Sequence, residues 1–214
     1  MKEALVPFQM VDEYTLILYL KLQHFLHPLP PPSWQVGDRG DVVLIPGVAE
    51  YWNFLQVIGD FLNQRGYRVH TIPSLEDNTL PLTEASKIAA EAITDYPNPY
   101  LVSHSKGGLI ALNLLIDPKV KLSVSISTPY HGSNVAKLMS SSAELSPESP
   151  TITQLDSLPI DRHKIISIYP SFDNHVLPHS GLILAGAENH QLDVVGHTRI
   201  LTSPQTLQLL SQIL

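Results

Sequence analysis

Residues 100–116, YLVSHSKGGLIALNLLI, constrain the fold more tightly than any other stretch of the chain. A short apolar run stops at Ser103-His104-Ser105-Lys106-Gly107-Gly108, and an apolar run of helical length follows at once. That pattern predicts a strand, a tight turn and a helix, with Ser105 at the apex. Such a turn strains the apical residue and lifts its side chain above the end of the strand. The residues two before and two after the apex must be small, because strand and helix nearly touch there. Ser103 and Gly107 meet that demand. Ser105 is therefore a candidate nucleophile, against the plainer reading of a serine that only caps a helix.

The flanking sequence repeats the same kinds of element. Residues 41–45, DVVLI, stop at Pro46-Gly47, as a strand buried on both faces would. Phe54, Leu55, Ile58, Phe61 and Leu62 recur at helical spacing up to Gly66. Residues 67–72 read as the next strand, closed by Pro73. Ala85, Ile88, Ala89, Ala92, Ile93 and Tyr96 share a second helical face, with Thr83 as its expected cap. Leu122, Val124 and Ile126 alternate with three serines in a fourth strand, and residues 164–169 and 181–185 read as two more. Ser203-Pro204 opens a last helix. Strands alternating with helices predict an α/β fold whose sheet of about six mostly parallel strands is covered on both faces.

Two segments stand apart from this alternation. Residues 1–34 divide off as an N-terminal helix, read over 11–27, and the Pro-rich connector HPLPPP. Leu18, Leu22, Phe25 and Leu26 can share one face of that helix. It is either a strap packed on the domain of residues 35–214, or a helix that covers a site or touches a membrane surface. Residues 128–160, rich in Ser and Pro and weakly periodic, form an insertion after the fourth strand with one short helical candidate at 135–139.

Composition narrows the function. At 214 residues the chain suits one well-buried domain. A net charge of −7 without any Lys/Arg block argues against nucleic acid as partner. The absence of cysteine removes thiol nucleophiles and thiolate metal sites. Ten histidines without H-E-x-x-H or similar spacing give no reason to expect a metal, and no cofactor is expected. Lys2 is opposed by Glu3, Asp12 and Glu13, unlike the start of a signal peptide. The apolar stretch 14–26 is short and interrupted by Lys21, Gln23 and His24. A cytoplasmic location is the resulting expectation; oligomeric state is left open.

A serine hydroxyl becomes a useful nucleophile when a histidine takes its proton and an acid orients that histidine. A parallel sheet presents functional loops at the carboxyl ends of its strands. Asp173 follows the fifth strand, and His197 follows the sixth, just ahead of the last helix. Asp161 and Asp193 are alternative acids, and His190 an alternative base. His104 reads as a packing residue, and His131, His175 and His179 as loop residues. For a developing oxyanion, the amides of Lys106 and Val48 are the candidate donors. The Lys106 ammonium could also meet an anionic group. Tyr51 and Trp52 either line a pocket or pack at a helix start.

The segments VVLIPGVAEYWNFLQVIGDFLNQRGYRV, LVSHSKGGLIALNLL, ISTPYHGSNVAKL, ELSPESPTITQL, SIYPSFDNHVLP and VVGHTRIL, in that order, resemble the α/β-hydrolase superfamily. Within it they are similar to bacterial serine lipases and esterases of the GPI inositol-deacylase-like group. The resemblance implies a minimal α/β-hydrolase with Ser105, Asp173 and His197 as triad and 128–158 as a cap over an acyl pocket. It departs from the usual G-x-S-x-G at Ser103, and from the common His-Gly at Pro46-Gly47. The activity implied is hydrolysis of small-molecule or lipid carboxylic esters. A thioesterase or acyltransferase with the same triad is the alternative, and a non-catalytic binding protein on this fold the third.

Overall fold

In the computed structural model, residues 6–138 and 140–214 are described, the side chains at 6–9, 138 and 140–142 excepted. Met139, at the end of the expected short helix, lies outside the described residues. Six strands form one parallel sheet: β1 (Asp41–Ile45), β2 (Arg68–His70), β3 (Tyr100–His104), β4 (Leu122–Ile126), β5 (Ile165–Phe172) and β6 (Glu188–Val195). Their order across the sheet is β2-β1-β3-β4-β5-β6, and every neighbouring pair is parallel.

Period-two alternation, with a core on each face of the sheet, explains why β1 is buried along its whole length. In β1, Val43 and Ile45 join one core with α3 (Leu82–Ala92) and α4 (Lys106–Leu114). Val42 and Leu44 face the opposite core, built with α2 (Gln56–Gln64), α6 (Pro204–Ile213) and Trp34. Helices therefore cover both faces, as the alternation predicts. Ser203 caps α6 by accepting from Gln205 N (3.2 Å), with Pro204 in the first turn. α3, by contrast, does not use Thr83. It begins at Leu82, whose N–H is held by the Glu144 carboxylate at 3.0 and 3.1 Å.

The sixth strand differs from expectation. Residues 181–185 lie in a short 3-10 turn, His179–Leu182, and its exit, whereas β6 is the more polar run Glu188–Val195. β6 lies at the sheet edge and pairs only with β5 among the described residues, so three of its five polar residues (Glu188, Gln191 and Asp193) are exposed. A buried apolar run was the wrong signature to seek there.

α1 spans Val6–Leu26 and begins earlier than the helix read over 11–27. Leu18, Leu22, Phe25 and Leu26 are exposed, Leu18 at 70% and Phe25 at 75%. The face laid on the domain carries Glu13, Leu16, Ile17 and Leu20 instead. Asn53 Nδ2 donates to Leu20 O (2.6 Å), and the buried Glu13 carboxylate accepts from Thr198 N (2.7 Å) and Arg199 N (2.9 Å). Among the described residues, no helix is long and apolar enough to cross a membrane.

Candidate active site

Ser105 sits between β3 and α4 at φ 51° and ψ −122°, a conformation that costs a residue with a Cβ about 1–3 kcal/mol. Its amide donates to Ile126 O (2.8 Å), tying the turn to the end of β4. Gly107 is required by contact. A Cβ there would stand 2.2 Å from Ile45 O and 2.7 Å from Pro46 O, both backbone atoms that cannot swing away. Gly107→Ala is expected to destabilise the chain by about 3 kcal/mol or more, read as a lower urea midpoint. Ser103 replaces a glycine without a clash. It is fully buried, and its hydroxyl bonds to Val124 O (3.3 Å) and Ser125 Oγ (3.1 Å) of β4.

Asp173 directly follows β5, and His197 comes two residues after β6. His197 Nδ1 lies 2.8 Å and 3.0 Å from the two carboxylate oxygens of Asp173. Both residues are buried. Asp173 Oδ1 also accepts from His175 N (2.8 Å) and Val176 N (2.9 Å). Burial raises the Asp173 carboxyl, but the His197 charge, its hydrogen bond and these amides outweigh that and hold it at about 2. Burial lowers His197, yet the Asp173 charge and hydrogen bond, with smaller pulls from Glu50 and Glu13, leave it above its ordinary value.

The alternatives lie elsewhere. Asp161 caps the 3-10 turn Arg162–Lys164 at the surface, and Asp193 is exposed on β6. His190 is paired with Glu188 Oε1 at 2.6 Å on the same edge strand.

Ser105 and His197 open on one cavity of about 270 Å³. Its wall is mostly apolar: Ile17 from α1, Val48 and Ala49 from the loop after β1, Phe54, and Val135, Ala136 and Leu145 from the insertion after β4. Ser105 Oγ makes no hydrogen bond to His197 among the described residues, a common feature of such sites before substrate binds. Val48 borders the cavity, and the Lys106 N–H opens α4, where no earlier carbonyl of the helix can accept it. The Lys106 side chain points away and is fully buried. Its Nζ donates to Asn78 O (3.2 Å) and to Leu80 O, and lies 3.4 Å from Glu144 Oε1 of the insertion.

Tyr51 and Trp52 do not line this cavity. They border a separate groove with the Pro-rich connector, where Tyr51 stacks on His24 at 3.7 Å between centroids and Trp52 Nε1 donates to Pro28 O. His24 of α1 and Pro28 of the connector hold them there, away from the cavity. His175, read above as a loop residue, does reach the cavity, 4.7 Å from the His197 ring. Burial and the neighbouring His197 charge lower it to about 4, so it stands there as neutral imidazole.

Sequence reasoning missed two contributors. Glu13 anchors α1 to the backbone just after His197. Its removal leaves Thr198 and Arg199 amides without that acceptor, so Glu13→Ala is expected to cost about 1–3 kcal/mol and to speed proteolysis within α1. Glu50, on the loop after β1, is buried against His104. Neither carried a signal, since each partner lies far away in the chain. Among the described residues, no group of three His, Asp or Glu side chains converges as a metal site requires.

Comparison with known proteins bears on the architecture. No protein-family model matches the chain, and no curated protein matches it in sequence. Among solved structures it is similar to an α/β-hydrolase enzyme from a lagoon-sediment metagenome, with a TM-score of 0.63 and 19% identity over 83% of this chain and 91% of that one. A mature Bacillus licheniformis lipase superposes with a TM-score of 0.59 at 15% identity, covering 86% and 94%. A Paleococcus ferrophilus monoacylglycerol lipase gives 0.59 at 15%, covering 83% and 93%. With six parallel strands, helices on both faces and a serine at the turn after β3, the chain has the α/β-hydrolase fold in a minimal form.

Proposed function

We propose that this chain is a serine hydrolase of carboxylic esters. The observation that carries the reading is the strained Ser105 facing the same apolar cavity as His197, whose far nitrogen is held by the buried Asp173. In this reading His197 Nε2 takes the Ser105 proton as Oγ attacks the acyl carbonyl. The Val48 and Lys106 amides receive the oxyanion, and the His197 proton leaves with the alcohol. Water then attacks the acyl-enzyme, again deprotonated by His197, and Ser105 is restored. An apolar wall favours an uncharged acyl chain over a polar one. The lipases among the structural neighbours and the motif resemblance to the GPI inositol-deacylase-like group support a lipid or lipid-like ester.

The test is labelling of purified protein by a fluorophosphonate, with turnover of p-nitrophenyl esters of graded chain length. Labelling at Ser105 and hydrolysis support the reading. Well-folded protein that does neither refutes it, and faster turnover of CoA thioesters or transfer to added alcohols would favour the thioesterase or acyltransferase form.

The electrostatics give a pH prediction. The base must be neutral to accept the Ser105 proton, and its folded pKa is raised, so activity is lost as pH falls through that raised value. The acid limb of kcat/KM is expected to have its midpoint above 6.5, the ordinary histidine value. Initial rates across a pH series check it.

A further inference from the structure

Behind Ser105 lies a second histidine–carboxylate pair that the reaction does not use directly. His104, the residue before Ser105, is fully buried, and Glu50 is 6% exposed. His104 Nδ1 stands 2.8 and 2.9 Å from the Glu50 oxygens, and its Nε2 stands 3.0 Å from His197 O. A carboxylate and a carbonyl can only accept, so both ring nitrogens carry hydrogen and the ring is a cation. Burial raises the Glu50 carboxyl, but the charge and hydrogen bond of His104 lead the opposing effects and hold it below the usual carboxylate range.

Each member touches a different part of the site. Glu50 Oε2 accepts from Gly47 N (2.7 Å), one residue before Val48. A Cβ at Gly47 would stand 2.8 Å from Glu50 Oε2 and 3.0 Å from Ser105 Cβ, so only glycine lets the loop sit this close. His104 holds the backbone of the residue whose ring is the base. An ion pair buried this way is a poor stabiliser, because desolvation offsets most of the attraction. Its geometry has another use.

We propose that Glu50 and His104 are positioning residues that fasten the loop carrying the Val48 amide to the loop carrying His197, fixing oxyanion donor and base on either side of Ser105. The catalytic consequence rests on the hydrolase reading above. The link itself is a matter of geometry.

Two variants separate positioning from plain stability. In Glu50→Gln the amide oxygen still accepts from Gly47 N, and its NH₂ donates to a neutral His104 whose Nε2–H still reaches His197 O. Every link survives, so kcat per fluorophosphonate-titrated site is expected within about fivefold of wild type. Glu50→Gln/His104→Phe cuts the links of residue 104 to residue 50 and to His197 O, and leaves no unpaired buried charge. Its kcat is expected to fall about 10²-fold, with KM within about twofold, comparable to losing an oxyanion donor. A merely structural pair would lower the melting temperature and the titratable fraction while leaving kcat per titrated site alone. A double variant within about threefold of wild type, or Glu50→Gln falling as far as the double, overturns the proposal.

Nuclear magnetic resonance reads the link without turnover. Wild type is expected to show two slowly exchanging ring N–H protons on His104, and Glu50→Gln one. A single such proton in wild type refutes the charged pair. If wild type is neither labelled nor active, the hydrolase reading has failed and takes the kinetic claim with it. Labelled wild type with an indifferent double variant refutes positioning alone.

Discussion

Replacing Ser105 by alanine is expected to remove ester hydrolysis almost completely, with kcat falling roughly 10⁶-fold, the scale seen when a nucleophile of this type is deleted. The side chain is nearly buried at the apex of a strained turn, and alanine keeps the Cβ that already occupies that position. The fold should therefore be unchanged in circular dichroism and melting temperature, apart from small effects of the lost hydroxyl. What disappears is the oxygen that forms the acyl-enzyme. Fluorophosphonate labelling should vanish in step with p-nitrophenyl ester turnover. Retained labelling would place the nucleophile elsewhere, and retained turnover would mean that no covalent intermediate on Ser105 is involved.

Asp173→Asn is expected to lower kcat by about 10⁴-fold, by analogy with the loss found when the acid of a serine-protease triad is made an amide. The reason is the tautomer. The carboxylate accepts from His197 Nδ1–H at 2.8 Å, which leaves Nε2 free to receive a proton. An asparagine that turns its NH₂ toward Nδ1 makes that nitrogen an acceptor and moves the hydrogen to Nε2, the wrong side for a base. The same asparagine keeps its oxygen for the His175 and Val176 amides, so the loop should stay in place. KM is expected to change little, because Asp173 is fully buried and does not reach the substrate. A loss below about tenfold, measured as kcat on the best ester, would refute Asp173 as the orienting acid.

The readings that survived were those in which local sterics leave few options. Gly107 marks a backbone approach that only glycine permits, a Cβ there meeting Ile45 O, while Gly47 and Gly108 are crowded by the Glu50 and Ser105 side chains and by the Thr128 side chain. The alternation in β4 places its serines on one face, where Ser125 receives the Ser103 hydroxyl. What spacing misread or left open has a different cause. β6 is an edge strand, so its burial is partial and its polar residues mask the pattern. α1 carries apolar residues on two faces, and spacing alone does not say which face meets the domain. Tyr51 and Trp52 are aromatic and close to the candidate oxyanion loop, yet contacts with His24 and Pro28 from the N-terminal segment turn them away.

Chain order and spacing were enough to read a parallel sheet with a serine at its central turn, because each such element answers to contacts within a few residues. The meeting of Asp173 with His197 across 24 residues, of His104 with Glu50 across 54, and of Glu13 with Thr198 across 185 answers to something else. Those contacts depend on which strand lies beside which and on where α1 is laid. Both are settled by the burial of whole faces, and no local stretch of sequence records them.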